Sequence, residues 1–185
     1  MSIGLRNLGL SAIVGVVLLG GAAALWLDAE DGLVGVHQGI AAKSPSVAHI
    51  SAEQLSRSNP ASHIVFDTRA GDEFAVSHIS GAIRISPEMP TAEFLASYGT
   101  LASGKTAVFY CSVGARSSNF ASRIQSALKA QGAADVVNLK YGLFGWHNQG
   151  RPLQNKAGAA TESIHPYDDS WGRLLERKQL ISYGS

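Results

Sequence analysis

Short apolar runs in the middle of the chain predict the strands of a β-sheet. Residues 63–66, 106–110 and 135–139 are dominated by β-branched and aromatic side chains, and residues 82–85 add a shorter strand. Apolar positions in these runs are nearly continuous rather than alternating, which is typical of strands covered on both faces. The pattern therefore indicates a buried, mainly parallel sheet.

Helical patterns separate these runs. Phe120, Ile124 and Leu128 recur at four-residue intervals, which predicts a helix over about 116–130, closed by Gly132. A capping-box pattern at residues 51–54 predicts a short helix through about 56, and residues 92–97 add a further helical piece. Because strands alternate with helices, we predict an α/β domain with a mainly parallel central sheet flanked by helices.

The amino-terminal segment differs from the rest of the chain. Residues 8–27 contain no charged side chain, and about 20 residues of helix span the roughly 30 Å of a bilayer's hydrocarbon. Arg6 precedes this run, and acidic residues follow it from Asp28. We expect a transmembrane anchor or a signal peptide with small residues at 22–24 for cleavage. Either places the remainder on the non-cytoplasmic, periplasmic-type side of a membrane.

The chain therefore divides into four predicted parts. Residues 1–27 are the anchor or signal peptide, and 28–46 form a linker with glycines at three positions. Residues 47–154 form the α/β domain. Residues 155–185 form a tail in which Trp171, Leu174 and Leu175 suggest a short helix. That helix either packs on the flank of the domain or docks an unidentified protein partner.

Composition excludes several classes of function. The net charge is +1, charged residues make up 16% of the chain, and no cluster of Lys and Arg could follow a phosphate backbone, so nucleic acid is not expected as a partner. The one cysteine, Cys111, excludes an intramolecular disulfide and a multi-cysteine metal site. We expect no metal and no organic cofactor. The thiol is either core filler or the reactive group of the protein.

The surroundings of Cys111 favour a reactive thiol. It ends an apolar strand, and a loop of small residues leads into a helix. Gly114 permits a tight curl of that loop, helix amides add partial positive charge, and Arg116 adds a full charge, all of which favour the nucleophilic thiolate. We predict that Arg116 holds an anionic donor and that the backbone of 112–116 stabilises the charged sulfur. The predicted substrate-binding set is Ser112, Val113, Gly114, Ala115, Arg116 and Ser117.

Three motifs in order resemble those of single-domain rhodanese-like sulfurtransferases, over about residues 48–154. The central one is the Cys-x-x-Gly-x-Arg-Ser loop that starts at Cys111. The flanking motifs include Asp67, Arg69, Glu73, Phe74, His78, Gly81, Ala82, Leu139, Gly142, Trp146, Gly150 and Pro152. Ser77 and Tyr141 stand where the family usually has glycine, which affects the expected turn geometry.

The resemblance implies a thiosulfate-type sulfurtransferase. Cys111 would take a sulfane sulfur from a small anionic donor as a persulfide and pass it to a thiophilic acceptor, with no cofactor. Asp67 and Arg69 would be structural, as a buried pair that supports the loops around the site. His78 would pack beneath the loop, because a thiolate already formed needs no general base.

Two other functions remain open from the sequence. Certain dual-specificity phosphatases share this fold, but their loop has five residues between Cys and Arg, whereas four intervene here. The second alternative is a non-catalytic rhodanese-like binding module, or a thiol redox sensor, at the membrane. Whether Cys111 accepts sulfur and passes it on separates these functions.

Overall fold

A parallel five-stranded sheet forms the centre of the computed structural model, which describes residues 29–184. The strands are β1 (Ala48–Ile50), β2 (His63–Asp67), β3 (Ile83–Arg84), β4 (Thr106–Tyr110) and β5 (Asp135–Leu139), with a hairpin of β6 (Leu153–Gln154) and β7 (Ala160–Thr161). The helices are α1 (Ala29–Lys43), α2 (Ala52–Arg57), α3 (Gly71–Val76), α4 (Thr91–Ala102), α5 (Ala115–Ala130), α6 (Gly142–Asn148) and α7 (Asp169–Gly172). Single 3₁₀ turns lie at Pro60–Ser62 and Lys178–Leu180.

The strand order places the predicted reactive loop after the central strand, at the carboxyl-terminal ends of the strands. The order is β1-β5-β4-β2-β3, and every pairing is parallel. Asp67 at the end of β2 is in register with Tyr110 at the end of β4, and Phe109 is in register with Asn138 of β5. The loops that follow β2, β4 and β5 therefore emerge together. The predicted α/β architecture with a mainly parallel sheet is confirmed.

Both faces of the sheet are buried, as the continuous apolar runs predict. Val65, Val108 and Val137 face one core, while the neighbouring positions Phe66, Phe109 and Val136 face the other. The second core contains four buried phenylalanines, each in contact with at least two of the others at ring-centroid distances of 5.0–5.7 Å: Phe66, Phe94, Phe109 and Phe120. Alternation along each strand thus fills a hydrophobic layer on either side of the sheet.

Local signals account for the helix ends that matter to the site. Ser51 and Gln54 form the predicted capping box at the start of α2. Helix α5 begins at Ala115 and ends at Ala130, and Gly132 follows it with a φ of 99°. Helix α4 runs to Ala102, five residues beyond the predicted helical piece, because Phe94 and Ala102 both bury their side chains against the sheet.

The predicted linker over 28–46 is wrong for most of its length, because residues Ala29–Lys43 form helix α1. Leu33, Val36 and Ile40 share one face of this helix, and Leu33 and Ile40 are buried. Each glycine in a helix costs about 1 kcal/mol relative to alanine. Burial of the apolar face of α1 outweighs that cost. The sequence did not predict this helix, because its glycines are typical of a linker.

The tail packs against the domain and is an integral part of its core. The side chains of Ile164 and Leu175 are fully buried within the same core cluster as Val108. Asn148 of α6 donates to the carbonyl of Leu174 at 2.9 Å. The short helix α7 spans Asp169–Gly172, so Leu174 and Leu175 follow it rather than belong to it.

The predicted membrane segment over 8–27 lies outside the described residues. Within 29–184, no helix is long and apolar enough to cross a bilayer.

Candidate active site

Cys111 lies at the floor of a small pocket, directly after the central strand β4. Cys111 is only 1% exposed, yet it lines a cavity of about 170 Å³. The lining residues are Cys111, Ser112, Val113, Ala115, Arg116, Tyr167 and Trp171. Five of these come from the predicted loop and two come from the tail. The loop residues expected to bind substrate are thus brought together around the sulfur, with Gly114 behind them.

Gly114 shapes the loop around the sulfur. It adopts a φ of 98°, in the left-handed region that glycine favours, and it is the N-cap of α5. Its amide donates to Cys111 Sγ at 3.2 Å. The side-chain amide of Asn138 donates to the Gly114 carbonyl at 3.1 Å and holds the turn from β5. The expected role of Gly114 in the curl is therefore present in the geometry.

Ser117 supports the loop from behind. It is fully buried, and its hydroxyl donates to Asn138 Oδ1 at 2.7 Å. The structure does not place Ser117 among the residues that line the pocket. Its hydroxyl holds the same Asn138 that holds Gly114, so we assign it to positioning the loop rather than to contact with a substrate.

The start of α6 holds the loop from the other side. The amide of Leu143 donates to the Cys111 carbonyl at 2.8 Å, and the amide of Phe144 donates to the Ser112 carbonyl at 2.9 Å. Since carbonyl and amide point in opposite directions across a trans peptide, the following amides are directed away from α6. Tyr141, at one of the two positions where glycine was expected, adopts a left-handed φ of 66°, so the turn before α6 retains the geometry that a glycine would give.

Arg116 is paired with a carboxylate that the sequence analysis did not assign to the site. Its guanidinium donates to both carboxylate oxygens of Glu73, each at 2.9 Å, and to Ser112 Oγ at 3.0 Å. Ser112 Oγ in turn donates to Glu73 Oε1 at 2.9 Å. The Glu73 side chain is 2% exposed, whereas that of Arg116 is 29% exposed. Arg116 therefore reaches the pocket wall, but its charge is balanced by Glu73.

Both members of this pair are held in their charged forms. Burial raises the pKa of Glu73. The hydrogen bonds and charge of Arg116 lower this pKa by more than burial raises it, so it lies below its usual value. Burial lowers the pKa of Arg116, and the hydrogen bond to Glu73, followed by electrostatic interactions with Cys111 and Glu73, raises it overall. The pair links α3, which follows β2, to the loop that follows β4.

We expect Glu73→Gln to lower the free energy of unfolding by about 1–3 kcal/mol at neutral pH, because it weakens charged hydrogen bonds to Arg116. The folded pKa of Glu73 lies below its usual value of 4.5, so the ion pair stabilises the fold fully above that pH. This stabilisation is lost as the pH falls through the folded pKa. Urea unfolding of both proteins should show a constant difference above about pH 5 that shrinks in more acidic solution.

Glu53→Gln is the matched control for this prediction. Glu53 pairs with Arg57 at 2.8 Å, but both side chains are more than half exposed. Such a surface pair contributes about 0.5 kcal/mol or less. A Glu73→Gln difference that stays constant down to about pH 3 would mean that ionisation of Glu73 is not its source.

Asp67 and Arg69 form a second ion pair that is wholly buried. Both side chains are 0% exposed, and Arg69 Nη2 donates to Asp67 Oδ2 and to the Ser77 carbonyl, each at 2.6 Å. Burial lowers the pKa of Arg69, but the charge of Asp67 raises it overall. Neither residue lines the pocket. The pair joins the end of β2 to the turn after α3, and Ser77 fits that turn because its φ of −166° is ordinary extended backbone.

His78 is also placed as a packing residue. Its ring stacks on Phe74 with centroids 3.7 Å apart. Because a carbonyl can only accept, His78 Nδ1 donates to Phe74 O at 2.9 Å, which leaves Nε2 to accept from Gln154 Nε2 at 3.0 Å. Both ring nitrogens therefore have partners, and neither faces the sulfur.

Two aromatic residues of the pocket were not anticipated. Tyr167 and Trp171 belong to the tail, more than fifty positions after Cys111, and Arg116 Cζ lies 5.0 Å from the centre of the Tyr167 ring. Nothing in the loop motif points to them, because the tail reaches the site only through its tertiary packing. Across the described part of the chain, no group of three or more His, Cys, Asp or Glu side chains could hold a metal ion.

The sequence matches a family model for the rhodanese-like domain over residues 51–149. Similar solved structures include a rhodanese-related protein from Thermoplasma volcanium, with 24% identity, a TM-score of 0.44, and coverage of 57% of this chain and 96% of that one. A rhodanese-like domain protein from Staphylococcus aureus has 23% identity, a TM-score of 0.44, and coverage of 60% and 99%. Thiosulfate sulfurtransferase from Pseudomonas aeruginosa has 19% identity, a TM-score of 0.49, and coverage of 77% and 26%. No curated protein matches the sequence.

Proposed function

Because this chain belongs to the rhodanese-like family, we propose that it is a sulfurtransferase in which Cys111 carries the transferred sulfur as a persulfide. The observation that carries the proposal is the position of Cys111 Sγ. The sulfur lies at the floor of an open pocket and accepts a hydrogen bond from the Gly114 amide at 3.2 Å. The first turn of the 16-residue helix α5 follows directly after the loop. A helix amino terminus stabilises an anion beside it, which favours a thiolate and then a persulfide anion.

The first half of the reaction loads the sulfur. The Cys111 thiolate attacks the outer sulfur of a sulfane donor and forms a new S–S bond, while the old S–S bond of the donor breaks. With thiosulfate, the departing sulfite takes the electron pair of the broken bond. The product is the Cys111 persulfide anion, and no external oxidant or reductant is consumed.

The second half returns the enzyme to its starting state. A thiophilic acceptor attacks the outer sulfur of the persulfide, and the Cys111 thiolate leaves with the bonding pair. With cyanide as the acceptor, the product is thiocyanate. The chain's own residues supply the nucleophile, the amide that stabilises its charge, and a loop held by Asn138 and α6. Such preorganised donors act without reorganising during the reaction.

The direct test is the intact mass of the purified chain before and after thiosulfate, and again after cyanide. A gain of one sulfur atom, its removal as thiocyanate, and the absence of both in Cys111→Ser would support the proposal. If neither thiosulfate nor any other sulfane donor adds sulfur, the sulfurtransferase function is refuted. The domain would then be better described as a binding module or a thiol redox sensor.

The location of the domain is part of the proposal. The uncharged run at residues 8–27, with Arg6 before it and acidic residues after it, supports a membrane-anchored or exported protein with Cys111 on the non-cytoplasmic side. Fractionation of expressing cells tests this. Recovery of the whole protein in the cytoplasmic fraction, with its amino terminus intact, would contradict it.

A further inference from the structure

We infer that Tyr167 and Trp171 are specificity-determining residues, which make the Cys111 pocket select a monoanionic organic sulfur donor over inorganic thiosulfate. The donor class is a thiosulfonate, R–SO₂–S⁻, in which R is a short alkyl or single aryl group. This inference rests on the proposed function. It concerns the tail, which lies beyond the residues that match the family model.

The tail supplies the aromatic part of the pocket. The loop contributes Val113 and Ala115 to the lining, and the tail adds the rings of Tyr167 and Trp171. A pocket of about 170 Å³ is smaller than the roughly 300–1,000 Å³ of sites for drug-sized ligands. The wall beside the sulfur is therefore apolar and close, and it fits one small apolar group.

The tail is fixed in this position by contacts on both sides of the two rings. Before them, the fully buried Ile164 anchors the chain in the core. After them, the amide of Glu176 donates to Asn148 Oδ1 at 3.1 Å, and Arg177 donates to the His147 carbonyl at 2.7 Å. The rings are therefore part of the folded domain rather than the end of a free segment.

Tyr167, which lines the pocket, has an uncommon backbone conformation. Its φ is 70°, in a region that residues with a side chain seldom adopt. Its amide donates to Nδ1 of the buried His165 at 3.0 Å, and Asp168 caps the next turn by accepting from the Trp171 amide at 2.9 Å. Uncommon backbone conformations of this kind persist where surrounding contacts enforce them, and they cluster at functional sites.

The charges around the sulfur suit one negative charge better than two. Arg116 is the cationic side chain of the lining, but both carboxylate oxygens of Glu73 accept from it. Its guanidinium also lies against the Tyr167 ring. Thiosulfate carries two negative charges and no apolar group, whereas a thiosulfonate carries one charge and an apolar group for the two rings. The Gly114 amide and the α5 terminus remain to stabilise the single charge near Sγ.

Sulfur transfer from a thiosulfonate to Cys111 conserves atoms, charge and electrons. The Cys111 thiolate attacks the outer sulfur of R–SO₂–S⁻, the S–S bond breaks, and the sulfinate R–SO₂⁻ departs with its electron pair. The products are the Cys111 persulfide anion and the sulfinate, so the total charge is conserved and no further reactant is required.

The test compares kcat/KM for benzenethiosulfonate and for thiosulfate in the full-length protein, with cyanide as acceptor and thiocyanate as readout. The ratio of the two constants is measured in wild type, Tyr167→Ala and Trp171→Ala. Intrinsic differences between the donors cancel when each variant is compared with wild type. Loss of one apolar contact typically changes discrimination by roughly 10- to 200-fold, so we expect the ratio to fall at least about tenfold in each variant.

Two further variants keep the result interpretable. Tyr167→Phe retains the ring and should preserve the ratio. Leu101→Ala removes a half-exposed apolar side chain of α4 that does not line the pocket, and it should also preserve the ratio. Tyr167 is 50% exposed, so its replacement is compatible with folding even if that of Trp171 is not.

An unaltered ratio in a folded Tyr167→Ala variant would overturn the inference, and sulfur loading from thiosulfate would still support the proposed function. If neither donor loads sulfur on the wild type, the proposed function and this inference fail together.

Discussion

Asp67→Ala is expected to lower the free energy of unfolding by about 3–5 kcal/mol, because it leaves the Arg69 guanidinium without its counter-charge in the interior. Both side chains are fully buried, and Arg69 makes three side-chain contacts with Asp67 between 2.6 and 3.1 Å. A loss of that size is a large fraction of the 5–15 kcal/mol that stabilises a typical domain. Urea unfolding followed by circular dichroism measures it.

The matched control removes both charges. In Asp67→Leu combined with Arg69→Met, no uncompensated charge remains, and apolar replacements of buried ion pairs are often neutral or stabilising. The double variant should therefore recover part of the loss. If it is less stable than Asp67→Ala alone, the hydrogen bond from the Arg69 side chain to the Ser77 carbonyl matters more than the uncompensated buried charge.

The sheet could be predicted because its signals are local. Strands β4 and β5 begin and end where the apolar runs do, and β2 extends only one residue further, to Asp67. A strand buried on both faces leaves a continuous apolar run in the sequence.

Helix α1 could not be predicted in the same way. Its glycines weaken the helical signal, and the contacts that stabilise it come from distant segments, including Leu174 against Gly32.

The site could be predicted only as far as its loop. The roles of Cys111 and Gly114 follow from a strand, a turn and a helix that are consecutive in the chain. The partner of Arg116 does not, because Glu73 lies 43 residues away. Two weaker signals were available: Glu73 lies in a flanking motif of the resemblance, and loops after adjacent parallel strands emerge at the same edge of the sheet. Tyr167 and Trp171 had no such signal, because they reach the pocket through the tertiary packing of a tail whose one α-helix is the four-residue α7.

Gly142→Ala is expected to lower the rate of sulfur transfer by about 100-fold, because it displaces the loop that carries Cys111. A Cβ at this position would lie 2.4 Å from the Cys111 carbonyl oxygen and 2.6 Å from that of Ser112. Both contacts are with backbone, so the loop itself must move. A shift of about 1 Å in a catalytic group can cost about 100-fold in rate. Thiocyanate formation from a donor that loads the wild type measures the effect.

Gly150→Ala separates the displacement of the loop from backbone strain. Gly150 has a φ of 65°, close to the 57° of Gly142, but an added Cβ there would meet nothing within 4 Å. Both variants therefore acquire a side chain in the left-handed region, and that backbone strain costs about 1–2 kcal/mol in each. Only Gly142→Ala pushes on the carbonyls of the loop. Equal losses of sulfur transfer in the two variants would mean that strain, and not the position of Cys111, controls the rate.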